Sequence, residues 1–305
     1  MKTTHPATPA FNAFGIIGLG LIGGSLAKAL RAFVPGCRIT VADLRPEPVH
    51  AALAEGVADE AADHHAPHFE SAFDGCDALF ICTPPRDACH LLGTFRDARI
   101  GLITDVASVK LPVMKAAAGM ANFIGGHPMA GSESSGYGAA ETTLFQRATY
   151  VLCIPPDCTI PTARLDAFKN LLARLGATVA TMDPGQHDRR VAVISHLPHV
   201  AAFALASVAD EARDAVMRAL IGGGFRDTTR IAASSPDLWT DIFSESANLV
   251  PAIDNYIALL RRIRDLLAAG DAEALRTRLK QASDFRASIP EGLRRTAPGP
   301  GGAHP

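Results

Sequence analysis

His127 is the side chain best suited to acid–base chemistry, because it lies in a glycine- and proline-rich segment, GGHPMAGSE at 125–133. The apolar run at 122–124 predicts a strand, and we expect His127 on the loop at its carboxyl end. An imidazole titrates near about pH 6.5, so its neutral form can take a proton from a hydroxyl while a hydride leaves the same carbon. His127 is therefore a candidate general base, with a structural loop residue as the alternative.

Two arginines follow a run of three glycines at 222–224, and they are candidates for binding an anion. Arg226 and Arg230 carry planar guanidinium groups, whose usual partner is a carboxylate held through two hydrogen bonds. An aromatic residue, Trp239, follows shortly afterwards. The alternative interpretation is a loop with ordinary ion pairs.

A histidine pair, His196 and His199, is spaced three residues apart, which places both on one face of a predicted helix. Pro198 lies between them and is expected to kink that helix. No carboxylate stands at HExxH spacing, and the six cysteines form no CxxC pair. We therefore predict no metal site, and we expect the cysteines to be reduced.

A glycine-rich turn, Gly18-Leu19-Gly20-Leu21-Ile22-Gly23, stands between a predicted strand at 14–17 and a predicted helix from 24 onward. Asp43 follows twenty positions after the last glycine, at the end of the second predicted strand. This is the fingerprint of a dinucleotide site, in which the turn and the helix start approach the pyrophosphate and the acidic residue binds the ribose hydroxyls. Asp43 favours NAD, while Arg45 leaves NADP open through a contact with a 2′-phosphate.

Two further strand ends carry polar or rigid residues. The strand predicted at 78–82 leads into Thr83 and Pro84, and the strand predicted at 101–105 leads into a loop that contains Ser108. Ligands of open α/β sheets bind beyond the carboxyl ends of the strands, so both loops should line a nicotinamide crevice. Capping of the next helix is the alternative role for Ser108.

Short apolar runs alternate with helical segments up to about residue 181, which predicts a doubly wound α/β domain with strands buried on both faces. The predicted strands are 14–17, 38–42, 78–82, 101–105, 122–124, 150–154 and 178–182. The chain then turns helical, with helices predicted at 184–209, 210–220, 236–268 and 271–288. We predict a Rossmann-type dinucleotide-binding domain at 12–182, an all-α dimerisation domain at 183–290 and a disordered tail at 291–305.

Composition excludes several classes of function. The 305 residues include 29 Lys and Arg against 31 Asp and Glu, so no excess charge favours nucleic acid or an anionic membrane. The longest apolar stretch, 191–209, contains histidine, serine and proline, and a buried helix explains it better than a membrane span. Residues 1–13 have no apolar core of a signal peptide. We therefore expect a cytoplasmic protein that binds neither nucleic acid nor membrane.

The motifs together resemble one enzyme family, the prephenate/arogenate dehydrogenases of tyrosine biosynthesis. The matching segments are GLGLIGGSLA at 18–27, DVASVK at 105–110, GGHPMAGSESSG at 125–136, SHLPH at 195–199 and GGGFRDTTRIAASSPDLW at 222–239. The resemblance implies an NAD(P)-dependent oxidative decarboxylation of prephenate to 4-hydroxyphenylpyruvate. Arogenate, which has an amine in place of the side-chain ketone, is the alternative substrate and would give tyrosine.

The resemblance also implies roles for individual residues. His127 matches the catalytic histidine that accepts the proton of the ring hydroxyl, and Ser108 matches a serine beside that hydroxyl and the nicotinamide. The substrate-side matches are Arg230 for a carboxylate, His199, Glu133 at the pocket mouth, Trp239 in the pocket wall, and His196 without a definite role.

Two other classes of protein share parts of this pattern. A β-hydroxyacid dehydrogenase would need a catalytic lysine in the helical half, yet Lys169 and Lys280 are the only lysines after Lys115. A protein that senses NAD without catalysis would bind the dinucleotide but form no NADH.

Overall fold

The computed structural model describes residues 11–212 and 215–290 of the chain. The tail predicted to be disordered, at 291–305, lies outside the described residues. Two compact units are distinguished, one up to Leu249 and the other from Val250 onward.

Eight strands form one sheet in the first unit. They are β1 (Ala13–Ile17), β2 (Arg38–Ala42), β3 (Glu60–Ala61), β4 (Ala78–Ile81), β5 (Ile103–Asp105), β6 (Phe123–Pro128), β7 (Thr149–Cys153) and β8 (Thr178–Thr181). Their order is β3-β2-β1-β4-β5-β6-β7-β8, and all neighbours are parallel except β6 and β7. Strand order reverses at β1, so a crevice opens beyond the carboxyl ends of β1 and β4.

The described residues also form twelve α-helices. They are α1 (Leu21–Phe33), α2 (Pro46–Ala54), α3 (Pro85–Thr94), α4 (Leu111–Ala116), α5 (Thr162–Arg174), α6 (Pro184–Val191), α7 (Leu197–Glu211), α8 (Ala215–Ala219), α9 (Gly223–Thr229), α10 (Pro236–Glu245), α11 (Leu249–Ala269) and α12 (Ala272–Ser288). The α/β domain followed by a helical half confirms the predicted fold class.

Apolar side chains are buried on both faces of the sheet. Phe14, Ile16 and Phe80 belong to the core on one face, whereas Ile17 and Ile81 belong to the core on the other. Because successive side chains of a strand point to opposite faces, an unbroken apolar run is what a doubly covered strand requires. The two cores hold the strands rigid, so the loops at their carboxyl ends are fixed in place.

The prediction that His127 lies on a loop was wrong. Strand β6 continues through His127 to Pro128, because Gly125 to Pro128 pair antiparallel with Cys153 to Tyr150 of β7. A Cβ at Gly126 would lie 2.5 Å from the carbonyl oxygen of Asp105. Gly126 therefore allows β6 to lie close to β5, and it does not mark a loop. The edge strand β3 was missed, because two residues without an apolar run carry no strand signal.

The helical segments also differ from their predicted bounds. The helix predicted at 184–209 is divided by a π-helical turn, Ala192–His196, just before Pro198, so the expected irregularity takes the form of a widened turn. The helix predicted at 236–268 is broken at Ser246, which ends α10. The glycine run at 222–224, for which a loop was the alternative interpretation, starts the short helix α9.

Among the described residues, Pro184–Glu211 is the one helical stretch that is long and apolar enough to cross a membrane by length and composition alone. We expected a buried helix at 191–209, yet only 22% of its most apolar window is buried within the chain. The expectation was wrong for a single chain, because apolar side chains such as Val193, Ile194 and Val208 face outward.

Candidate active site

The glycine-rich turn has the geometry that a dinucleotide requires. Gly18 has a φ of +91°, and a Cβ there would lie 2.8 Å from the carbonyl oxygen of Cys82. A Cβ at Gly23 would lie 1.9 Å from the carbonyl oxygen of Gly18, whereas a Cβ at Gly20 would meet no atom within 4 Å. The first and third glycines are thus needed for the turn and for helix packing, and the second borders open space. The N-cap residue Gly20 offers no side chain to the N–H groups that begin α1 with Leu21 and Ile22.

Asp43 lies at the end of β2 against this turn. One carboxylate oxygen accepts a hydrogen bond from the Leu19 N–H (2.7 Å), and the other accepts from the Arg45 N–H (2.9 Å). The Arg45 side chain is 64% exposed, and its Nε lies 3.8 Å from Asp43. The carboxylate therefore shapes the turn and remains beside it, while the arginine reaches into solvent.

Two hydroxyls mark the next two strand ends. Within the described residues, the hydroxyl oxygens of Thr83, beyond β4, and Ser108, beyond β5, are buried without a hydrogen-bond partner. Ser108 does not cap α4, whose N-cap is Lys110. Buried polar groups are normally paired, so two orphaned hydroxyls at the sheet's crevice fit a ligand that supplies their partners. Together with the open space at Gly20, they fit a nicotinamide dinucleotide.

A buried ion pair ties the Ser108 loop to β6. Asp105 and Lys110 are both fully buried and bonded to each other, and the Lys110 ammonium also donates to the Gly126 carbonyl. Asp105 accepts from the N–H groups of Ala107 (2.9 Å) and Gly126 (3.0 Å). A buried ion pair need not add stability, but these hydrogen bonds connect the Ser108 loop to β6. The motif DVASVK at 105–110 was recognised in the sequence, but Asp105 and Lys110 were not predicted to be site residues.

His127 is almost fully buried, at 7% exposure, and its ring is hydrogen-bonded to a second histidine. His127 Nδ1 lies 2.8 Å from His187 Nε2, and His187 Nδ1 lies 2.8 Å from a carboxylate oxygen of Asp188. Burial holds the pKa of His127 well below its usual range, and the charges of His187, Lys110 and His196 act in the same direction. His127 is thus neutral and able to accept a proton.

His187 and Asp188 were missed by sequence reasoning. The sequence does show an adjacent His-Asp pair in the first helix after the sheet, and the start of that helix at Asp183-Pro184 was predicted. The Asp183 side chain accepts from the Gln186 N–H (2.9 Å) and caps α6. The first turns of α6 therefore contain two site residues, His187 and Asp188, in addition to the Asp183 cap.

His196 lies in the buried part of the same region. Its Nδ1 is 2.9 Å from the Ser246 hydroxyl, and its Nε2 is buried without a partner among the described residues. Burial is the largest influence on its pKa, which falls to about 4 although the Asp188 carboxylate raises it. His196 is therefore a neutral imidazole with one free nitrogen.

The remaining predicted residues come from the helical half, apart from Glu133, which follows β6. The rings of His199 and Trp239 are stacked, with centroids 3.5 Å apart and planes at 23°. His199 Nδ1 donates to the Ser195 carbonyl (2.9 Å), so Nε2 is its free nitrogen. Arg230 forms an ion pair with Glu133. Burial is the largest cause that lowers the pKa of His199, and the positive charge of Arg230 also lowers it. These contacts connect His199 with Trp239 and Arg230 with Glu133, while Arg226, like Arg230, is exposed.

This combination defines a class of protein. A dinucleotide turn at the switch point of an α/β sheet, with a buried neutral histidine and orphaned hydroxyls on neighbouring strands and their ends, is the site of a nucleotide-dependent dehydrogenase.

Comparisons with known proteins place the chain more narrowly. Residues 26–181 match the model "Prephenate dehydrogenase, nucleotide-binding domain", and residues 183–281 match "Prephenate dehydrogenase, dimerization domain". Prephenate dehydrogenase of Bacillus subtilis is 36% identical over 90% of this chain and 75% of that protein. Cyclohexadienyl dehydrogenase of Zymomonas mobilis is 32% identical over 92% of this chain and 96% of that protein.

A solved structure gives the same answer. Prephenate dehydrogenase from Aquifex aeolicus, in complex with hydroxyphenyl propionate and NAD⁺, has a TM-score of 0.82 and 29% identity, over 92% of this chain and 99% of that one. The chain belongs to the prephenate dehydrogenase family, and it is an oxidoreductase.

Proposed function

We propose that the chain catalyses the NAD-dependent oxidative decarboxylation of prephenate to 4-hydroxyphenylpyruvate, CO₂ and NADH, a step of tyrosine biosynthesis. The observation that carries the proposal is the neutral, buried His127, hydrogen-bonded through one ring nitrogen, in the strand next to the one that leads to the orphaned hydroxyl of Ser108. Family membership supports the choice of reaction.

The dinucleotide would be held by the glycine-rich turn, Asp43, Thr83 and Pro84, and when bound it supplies the acceptor for the hydride. Asp43, already aligned by the Leu19 N–H, accepts hydrogen bonds from the ribose hydroxyls and repels a 2′-phosphate. This favours NAD, with NADP as the secondary cofactor through Arg45.

His127 Nε2 would accept the proton of the ring hydroxyl as the hydride leaves the carbinol carbon. The hydroxyl oxygen becomes a carbonyl, the ring carboxylate departs as CO₂, and its bonding electrons make the ring aromatic. His127 then returns its proton to the phenol oxygen, so protons balance over the cycle. Ser108 donates to the reacting oxygen or accepts from it and holds the hydroxyl in line with His127.

Arg230 would bind a substrate carboxylate through its planar fork, with His199 Nε2 beside it. Trp239 would form the wall against which the ring rests, and Glu133, at the mouth, would pair with Arg230 until the substrate carboxylate displaces it. His196 contributes its one free nitrogen to the same buried region.

The test is NADH formation, followed at 340 nm, with prephenate and arogenate, each with NAD and NADP. We expect the highest kcat/KM with prephenate and NAD. A higher value with arogenate would replace the substrate, and a similarity to a cyclohexadienyl dehydrogenase makes this the second candidate. Tight NAD binding without NADH formation from either compound would refute the enzymatic proposal.

The setting of the enzyme is also proposed. We take 12–182 as the nucleotide-binding domain and 183–290 as the helical domain, which forms a homodimer. A net charge of −2 supports a cytoplasmic protein that binds neither nucleic acid nor membrane.

A further inference from the structure

We propose that His187 and Asp188 are positioning residues that fix the tautomer of His127, so that its Nε2 is the nitrogen left free for the substrate. The inference rests on the proposed function only in taking His127 as the base. It concerns a chain of three side chains that begins in helix α6 and ends in strand β6.

This series of hydrogen bonds starts at Asp188, and both oxygens of its carboxylate accept from backbone N–H groups. One oxygen accepts from the Lys110 N–H (2.7 Å), and the other accepts from the Leu111 N–H (2.8 Å). The first oxygen also lies 2.8 Å from His187 Nδ1. A carboxylate can only accept, so the proton of this hydrogen bond belongs to His187 Nδ1.

The direction of the next hydrogen bond follows. A neutral His187 that is protonated at Nδ1 has a lone pair at Nε2, which therefore accepts from His127 Nδ1, 2.8 Å away. A neutral His127 that is protonated at Nδ1 has its lone pair at Nε2. His127 Nε2, which must take the substrate's proton, is thus left unprotonated. Asp188 determines this through two successive hydrogen bonds.

The same series of hydrogen bonds connects two parts of the fold. His127 lies in the segment that matches the nucleotide-binding model, and His187 and Asp188 lie in the segment that matches the dimerization model. Asp188 also holds the backbone where the Ser108 loop enters α4. Helix α6 therefore sets both the protonation pattern of the base and the position of the loop beside it.

Charge on His187 would reverse this pattern, because a doubly protonated His187 donates to His127 and places the proton on the wrong nitrogen. The groups that face the pair are Lys110, His196 and the Asp188 carboxylate. The His187 side chain is buried, at 1% exposure.

The direct test is ¹⁵N NMR of histidine-labelled protein without ligand, with the His127 signals identified by their loss in His127→Asn. We expect wild-type His127 to be protonated at Nδ1 and unprotonated at Nε2. Protonation at Nε2 would overturn the proposal without any variant. Because no substrate is present, this outcome is independent of whether prephenate is turned over.

Two substitutions then separate positioning from mere packing. His187→Leu removes the acceptor, and we expect a second His127 tautomer in the spectrum and a loss in kcat of about 10- to 100-fold, with KM for both substrates changed only a few-fold. His187→Gln offers a carbonyl oxygen to His127 Nδ1, and it should recover most of kcat and the wild-type tautomer. His50→Leu, on the exposed face of α2, is the matched control. Equal losses in the Leu and Gln variants with an unchanged tautomer would contradict the proposal.

Discussion

Glu133 and Arg230, which lie 97 residues apart in the sequence, form an ion pair. Their side chains are 36% and 57% exposed. Exposed pairs of this kind contribute about 0.2–1 kcal/mol, so a substrate carboxylate can displace Glu133 at low cost. The arginine is thus available to an anion while its charge is paired in the ligand-free protein.

Arg230→Gln should raise KM for prephenate about tenfold or more, because a hydrogen bond to a charged group is worth about 1.5–3 kcal/mol. Arg230→Lys should recover little, since a point charge does not replace the planar fork. Steady-state kinetics give both values, and Arg226→Gln, at an exposed arginine of the same segment, should leave KM near its wild-type value. A wild-type KM in Arg230→Gln would move the anion site elsewhere, with Arg226 next.

Asp43 should set the choice of cofactor. Asp43→Ser should lower the ratio of kcat/KM for NAD to that for NADP about tenfold or more, through the lost hydrogen bonds to the ribose. Because Asp43 also holds the Leu19 N–H, Asp43→Asn is the better control for the shape of the turn. An unchanged ratio in both variants would remove Asp43 from the cofactor site.

The pH dependence of kcat/KM should reflect the environment of His127. The free imidazole value predicts an acidic limb near about pH 6.5. Burial and the neighbouring charges lower the pKa in the folded protein, so His127 stays neutral, and active as a base, to a lower pH. We therefore expect the rising limb below about pH 6.5. A limb at or above that value, unchanged in His127→Asn, would assign it to another group.

The chain should form a dimer in solution. Exposed apolar side chains occur in both units, namely Val193, Ile194 and Val208 in the first, and Leu260, Leu267 and Phe285 in the second. Exposed apolar surface of this kind is typical of an interface. Sedimentation equilibrium at micromolar concentration should give about twice the chain mass of 32.0 kDa. A single-chain mass would contradict the prediction.

The sequence was sufficient for the features that depend on local spacing. Apolar runs such as 14–17 and 38–42 predict buried strands, because only a strand covered on both faces lacks polar alternation. The glycines at 18, 20 and 23 predict the turn, since their requirement for a close approach is local. Fold class and the candidate cofactor residues follow from these patterns.

Features that depend on contacts between distant segments were not predictable in this way. Gly125, Gly126 and Pro128 have the composition of a loop, yet pairing with β7 makes them a strand. His187 became visible as a partner of His127 only in three dimensions, because sixty residues separate them. The lowered pKa of His127 has the same origin, since burial is a property of the folded chain.

The central claim is that His127 is the base of a prephenate-oxidising site, and His127→Asn tests it most directly. Asparagine keeps a polar side chain of similar size but has no useful proton acceptor, so the loss should fall on the transition state. With prephenate and NAD at saturation, we expect kcat to fall about 10²- to 10⁴-fold relative to the wild type, while KM changes only a few-fold. A His127→Asn enzyme with near-normal kcat would show that another group, with His196 or His199 tested next, accepts the proton.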